Sequence, residues 1–238
     1  ENIDAISLLP DGRMLISTTG NPSVPGLTGM DEDVLVFAPT TLGDVTSGTW
    51  SMYFDGSDVG LADTSNEDVD ALDVDPNGSV YLSTIGDFSV TGVAGFDEDV
   101  FICSPSSLGS VTACNYSPVL YFDGSTWGQD ANDVDAFEIL VSGTFPTATP
   151  SATATPTATN TPGPSPTPTL TNTPTPIPSG NSLYTSFASN GSVGGVSFSD
   201  EDIMEFNGTT WSLFFDGSDV GVGGTDLFAF SIVDTDTM

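Results

Sequence analysis

The chain has 238 residues, of which 33 are Asp or Glu against a single basic residue, Arg13, and no histidine, for a formal charge of −32. That balance excludes a Ser-His-Asp or Cys-His nucleophile, a lysine Schiff base, histidine-ligated zinc and a basic face for phosphate or nucleic acid. No apolar run approaches the roughly 20 residues of a bilayer span, so neither nucleic acid nor membrane insertion is expected.

The chain opens at Glu1 without a methionine or a signal segment and reads as a processed form. One unit is then written three times. Asp31-Glu32-Asp33-Val34 returns as Asp97-Glu98-Asp99-Val100 and as Asp200-Glu201-Asp202-Ile203; Asp4-Ala5 returns as Asp70-Ala71 and Asp135-Ala136. Tyr53-Phe54-Asp55-Gly56-Ser57 returns at residues 121–125 and 214–218. A period of about 65 residues broken by turn residues is the mark of stacked supersecondary units.

In the second copy, Ala71 to Val74 and Ser79 to Thr84 flank Asp75-Pro76-Asn77-Gly78, which predicts a hairpin. Val100 to Cys103 is a predicted third strand, and Val119 to Phe122 a fourth, with Trp50 to Phe54 as its counterpart one copy earlier. No helical periodicity appears. The expected class is all-β, with four-stranded antiparallel blade-like repeats whose apolar runs, such as Val34 to Phe37, suit strands covered on both faces. With Pro10-Asp11-Gly12 and Pro76-Asn77-Gly78 between the first two strands, the sequence resembles six-bladed propellers of the NHL type. It also resembles acidic repeat proteins of bacterial surfaces, through Asp68 to Ala71, Asp97 to Val100 and Tyr53 to Gly60. Neither resemblance implies an activity.

Up-and-down strand order puts the starts of strands one and three at the same edge, so the repeated acids gather on one face. Close carboxylates repel by roughly 1 kcal/mol per pair even in water, and Arg13, the one basic residue, cannot offset this across the repeats. Calcium takes six to eight oxygen ligands and fits loops that mix Asp with Gly, Ser and Asn. The candidate ligands are Asp31, Asp33, Asp68, Asp70, Asp97, Asp99, Asp133, Asp135, Asp200 and Asp202. The alternative is a solvated acidic rim. Asp73 to Gly78 also begins as an EF-hand loop does, but Thr84 stands where its Glu belongs, and a hairpin turn explains the same residues. Cys103 and Cys114 flank a Ser/Gly-rich loop and predict a disulfide, which implies an oxidising compartment.

Residues 146–180 are almost wholly Thr, Pro, Ala and Ser, and predict an extended polyproline-type linker with O-glycosylation at positions such as Thr149, Thr155, Thr159, Thr167 and Thr173. The organisation expected is two repeats plus the first strand of a third over 1–145, the linker over 146–180, and the remaining strands with a terminal strand over 181–238. First strands occur at Ile3, Val69, Val134 and again near Phe228, one more than the other strands can use, and three blades are too few to close a propeller. The expectation is a secreted, extracellular, non-enzymatic protein, calcium-bound, without other cofactor, that polymerises head-to-tail by strand exchange, with the third repeat divided between assemblies. The rivals are a carbohydrate-binding adhesive module, with Trp50, Tyr53, Trp127 and Trp211 stacking on sugars, and a glycoside hydrolase with paired carboxylates.

Overall fold

Each copy of the repeat folds into one four-stranded antiparallel sheet in the computed structural model, which describes residues 2–62, 66–141 and 181–232. The first sheet contains β1 (Ile3–Leu8) and β2 (Met14–Thr18), then, after a small hairpin of β3 (Ser23–Val24) and β4 (Leu27–Thr28), β5 (Val34–Thr41) and β6 (Ser47–Phe54). The second repeats this plan with β7 (Ala71–Val74), β8 (Val80–Ser83), the hairpin β9 (Phe88–Val90) and β10 (Val93–Gly95), β11 (Phe101–Ser107) and β12 (Ala113–Tyr116). The third does so with β13 (Ala136–Val141), β14 (Asn181–Ser186), the hairpin β15 (Gly191–Val193) and β16 (Val196–Phe198), β17 (Ile203–Phe206) and β18 (Trp211–Phe215). Single 3-10 turns at Ser57–Val59, Ser125–Trp127 and Ser218–Val220 follow the Asp-Gly-Ser segments. No sheet closes into a barrel, and the described residues include no α-helix.

The sheets stack face to face. Leu15 and Val36 of the first share a core with Leu72, Leu82 and Phe101 of the second, whose other face carries Ala71 and Tyr81 against Leu183, Phe206 and Trp211 of the third. Covering both faces of the second sheet is why its strands read as continuous apolar runs, each fully buried large side chain contributing about 1.5–3 kcal/mol. The first strands meet, β1 against β7 and β7 against β13. Ala5, Ala71, Ala136 and Ala229 line the small cleft between them, where a methyl group leaves room for the backbones to approach.

Three expectations change. β13 pairs with β14 residue for residue from Ala136↔Ser186 to Val141↔Asn181, so the third repeat closes within one chain instead of dividing between assemblies. The Thr/Pro stretch enters where the second repeat has its turn at 75–78, and strands on either side of an insertion keep their register when their side-chain pattern still fits. The fourth strand of the second repeat is Ala113–Tyr116, not Val119 to Phe122; Pro118 has no amide to donate, and after the last sheet bond from the Ser117 amide to Ile102 the chain rejoins the sheet at Tyr121 and Phe122, both bonded to Val100. The small hairpins went unpredicted, although Pro25-Gly26 with Gly26 at φ 84° is a two-residue turn signal. The surplus first strand near Phe228 is present as a segment packed on the third sheet through Phe230 and Ile232, but it joins no ladder among the described residues. The linker over 146–180 and its five threonines, Thr149, Thr155, Thr159, Thr167 and Thr173, lie outside the described residues.

Candidate metal centres between the sheets

Because Ala71 pairs with Ser83 and Leu82 with Phe101, the starts of the first and third strands of a sheet fall at one end. There the Asp-Glu-Asp block of one repeat meets the first strand of the next. The Val69 amide donates to the Asp31 carbonyl at 3.4 Å, Val134 to Asp97 at 3.2 Å, and Leu227 to Asp200 at 3.2 Å. Each junction so collects four carboxyl groups. The first holds Asp4, Asp31, Glu32 and Asp68; the second Asp70, Asp97, Glu98 and Asp133; the third Asp135, Asp200 and Asp226, with buried Glu201 next along the chain at the repeat position of Glu32 and Glu98.

The last acid of each block is used differently. Asp33 accepts the amides of Gly56 at 2.9 Å and Met30 at 2.8 Å, one on each carboxylate oxygen. Asp99 does the same with Gly124 and Phe96, both at 3.0 Å, and Asp202 with Gly217 at 3.1 Å and Ser199 at 2.8 Å. These three fasten the 3-10 turn and the preceding loop to the third strand, with both oxygens engaged.

The quartets lack such partners. Glu32 is 0% exposed and neither of its carboxylate oxygens meets a donor; Asp70, 6% exposed, is likewise unpartnered at both oxygens. Asp4, Asp31, Asp68, Asp133, Asp135 and Asp226 each add one buried oxygen without a donor. Among the described residues every unpartnered buried carboxylate oxygen belongs to one of the three quartets. An isolated buried charge is costly, so such groups move toward the neutral acid. Burial pushes Asp4 up to about 6, Asp68 to about 8 and Glu32 to about 7, with the neighbouring carboxylates adding to it. In the second quartet burial raises Asp133 to about 7, Glu98 to about 7 and Asp70 well above the carboxylate range. In the third, burial and Asp226 raise Asp135 to about 8. Among the described residues no group of three or more acids or cysteines is gathered closely enough to hold a metal ion as the carboxylates stand.

Of the predicted ligands, Asp31, Asp68, Asp70, Asp97, Asp133, Asp135 and Asp200 fall in the quartets, and Asp33, Asp99 and Asp202 are the fasteners. Sequence reasoning missed Asp4, Glu32, Glu98, Glu201 and Asp226. The missed signal is an asymmetry between copies. Asn2 stands where Asp68, Asp133 and Asp226 stand, and Phe228 stands where Asp4, Asp70 and Asp135 stand. Asp226 completes the third quartet, while Phe228 occupies the position that would open a fourth. The acids follow the junctions, not the repeat as a whole.

Asp75 accepts the Asn77 and Ser79 amides at 2.8 Å each, which is the geometry of a hairpin turn, and the Asp73 carboxylate turns inward to Ser7 and Ile139. Trp127 and Trp211 pack in the core with Phe206. Cys103 and Cys114 form the predicted disulfide, Cα atoms 5.4 Å apart, between β11 and β12. Comparison with known proteins finds no matching family model, no matching curated protein and no matching solved structure.

Proposed function

We propose that the chain is a secreted, non-enzymatic structural protein of the cell exterior, built from β-propeller blades and assembling head-to-tail with further copies of itself. The observation that carries the reading is the packing of residues 226–232. Phe230 and Ile232 lie on the third sheet as Leu72 and Val74 lie on the first. This segment is therefore the innermost strand of a fourth blade, and no further strands of that blade occur among the described residues. An inner strand without its ladder leaves backbone donors and acceptors open to strands from a neighbour, and a contact of that kind that does not close gives a fibre. The disulfide supports an oxidising compartment. The carboxylates recur in three copies, the pattern of a structural element, whereas hydrolysis of a glycoside needs one pair in two unlike environments. With Trp127 and Trp211 in the core, an adhesive sugar platform loses two of its aromatic residues.

Light scattering over a dilution series, with electron microscopy of the same samples, tests the reading. Concentration-dependent growth into fibres is expected, and Phe230→Asp is expected to abolish it. A monomer at all concentrations would overturn the assembly.

A further inference from the structure

We propose that each of the three junction quartets binds one calcium ion, which joins the third strand of one sheet to the first strand of the next. Two independent observations support it. The first is burial without partners: Glu32 and Asp70 present four oxygens to their quartets with no amide, amine or hydroxyl donor in reach and other carboxyl groups, Asp31 and Asp133, beside them, and the other buried orphan carboxylate oxygens all lie in the same three places. The fasteners Asp33, Asp99 and Asp202, a residue or two away, show that this backbone satisfies a carboxylate with amides where one is to be satisfied. The second is the distribution of acids. Phe228 replaces the acid at the position where no quartet would form, and Asp226 is retained where it completes one.

Calcium is the cation that suits four carboxylates and nearby carbonyls, because it accepts six to eight oxygens in irregular geometry and gives up its waters readily. Magnesium demands an octahedron and holds its water. Binding draws the four carboxyl groups together and displaces their protons, so the ion also links the sheets mechanically.

The test is a calcium titration of the full chain at pH 7.5 after chelation, by calorimetry and by equilibrium dialysis, with the melting temperature followed in parallel. Three equivalents are expected, with a melting temperature that rises with calcium concentration, as binding to the folded state alone requires. Asp70→Asn and Asp226→Asn should each lower the stoichiometry from three to two, while Asp44→Asn, exposed and outside the quartets, should leave three. Asp226 is only half-buried, so its variant remains informative where Asp70→Asn fails to fold. No saturable binding, a stoichiometry unmoved by Asp226→Asn, or an equal loss in Asp44→Asn would overturn the proposal. So would magnesium binding at the same stoichiometry and affinity. Fibre growth is a separate readout, so the two proposals fail separately.

Discussion

The Gly124 amide donates to the Asp99 carboxylate at 3.0 Å, and the glycine lies so close over Glu98 that a Cβ would fall 2.6 Å from Glu98 Cγ and nearer still to its carbonyl oxygen. Gly56 over Glu32 and Gly217 over Glu201 repeat the arrangement. Glycine is required there for space, since Gly124 has φ −64°, open to any residue. Four residues on, Gly128 has φ 78° and open space where its Cβ would be, so its requirement is conformational. Gly124→Ala should cost about 1–3 kcal/mol through overpacking, and Gly124→Asn more. Gly128→Ala should cost about 1–2 kcal/mol, with Gly128→Asn recovering much of it, because Asn tolerates the left-handed region. Urea unfolding midpoints of the four variants check this; Asn rescuing position 124 as well would defeat the steric account.

The disulfide staples β11 to β12 across a separation of 11 residues, with Cys103 fully buried. Closing a loop of that size stabilises by about 3 kcal/mol in the chain-entropy account. The double variant Cys103→Ala/Cys114→Ala should lose about that much in chemical denaturation, and the wild type in reductant should fall to meet it. A wild type indifferent to reductant would refute the contribution.

Much of this was legible in advance because it is local. The strands β7 and β8 and the disulfide follow from side-chain alternation, turn residues and cysteine placement within a dozen positions, and the three-fold repeat follows from the return of short segments such as Asp-Glu-Asp at intervals along the chain. What was hidden depends on partners far along the chain. Whether Asp33 or Glu32 faces a junction cannot be read from Asp-Glu-Asp alone, since the answer lies in Gly56 donating to one and Asp68 sitting beside the other. The closure of β13 on β14 across the Thr/Pro stretch was equally hidden, because composition marks a stretch without marking where its ends meet.

Glu138 sets a pH dependence separable from the quartets. Burial raises its carboxyl from 4.5 to about 7, against the Ile232 amide that donates to it and lowers it. The folded state therefore retains a proton that the unfolded chain gives up, and stability falls as pH rises from about 4.5 to about 7, then levels. Glu138→Gln stays neutral and can still accept the Ile232 amide. In chelator, the difference in melting temperature between variant and wild type should grow in the variant's favour through that window and stay constant above it. A difference independent of pH would contradict the assignment.

Asp73 ties the three first strands together. Its carboxylate accepts the Ser7 hydroxyl from β1 at 3.0 Å and, on the other oxygen, the Ile139 amide from β13 at 2.8 Å. β13 pairs with β14 along its far edge, so the Ile139 amide points to a side where no strand supplies a carbonyl, and Asp73 stands in for one. Asp73→Ala would leave that amide buried and unpaired, at about 1–3 kcal/mol, and remove the link to β1 as well. Asp73→Asn should cost less, since its oxygen can accept from Ile139 while its amide donates to the Ser7 hydroxyl. Hydrogen exchange at Ile139 gives the local readout: protection should drop in Asp73→Ala beyond the loss in global stability and persist in Asp73→Asn. Ile139 exchanging no faster than the rest of β13 in Asp73→Ala would show that the carboxylate does not cap this edge.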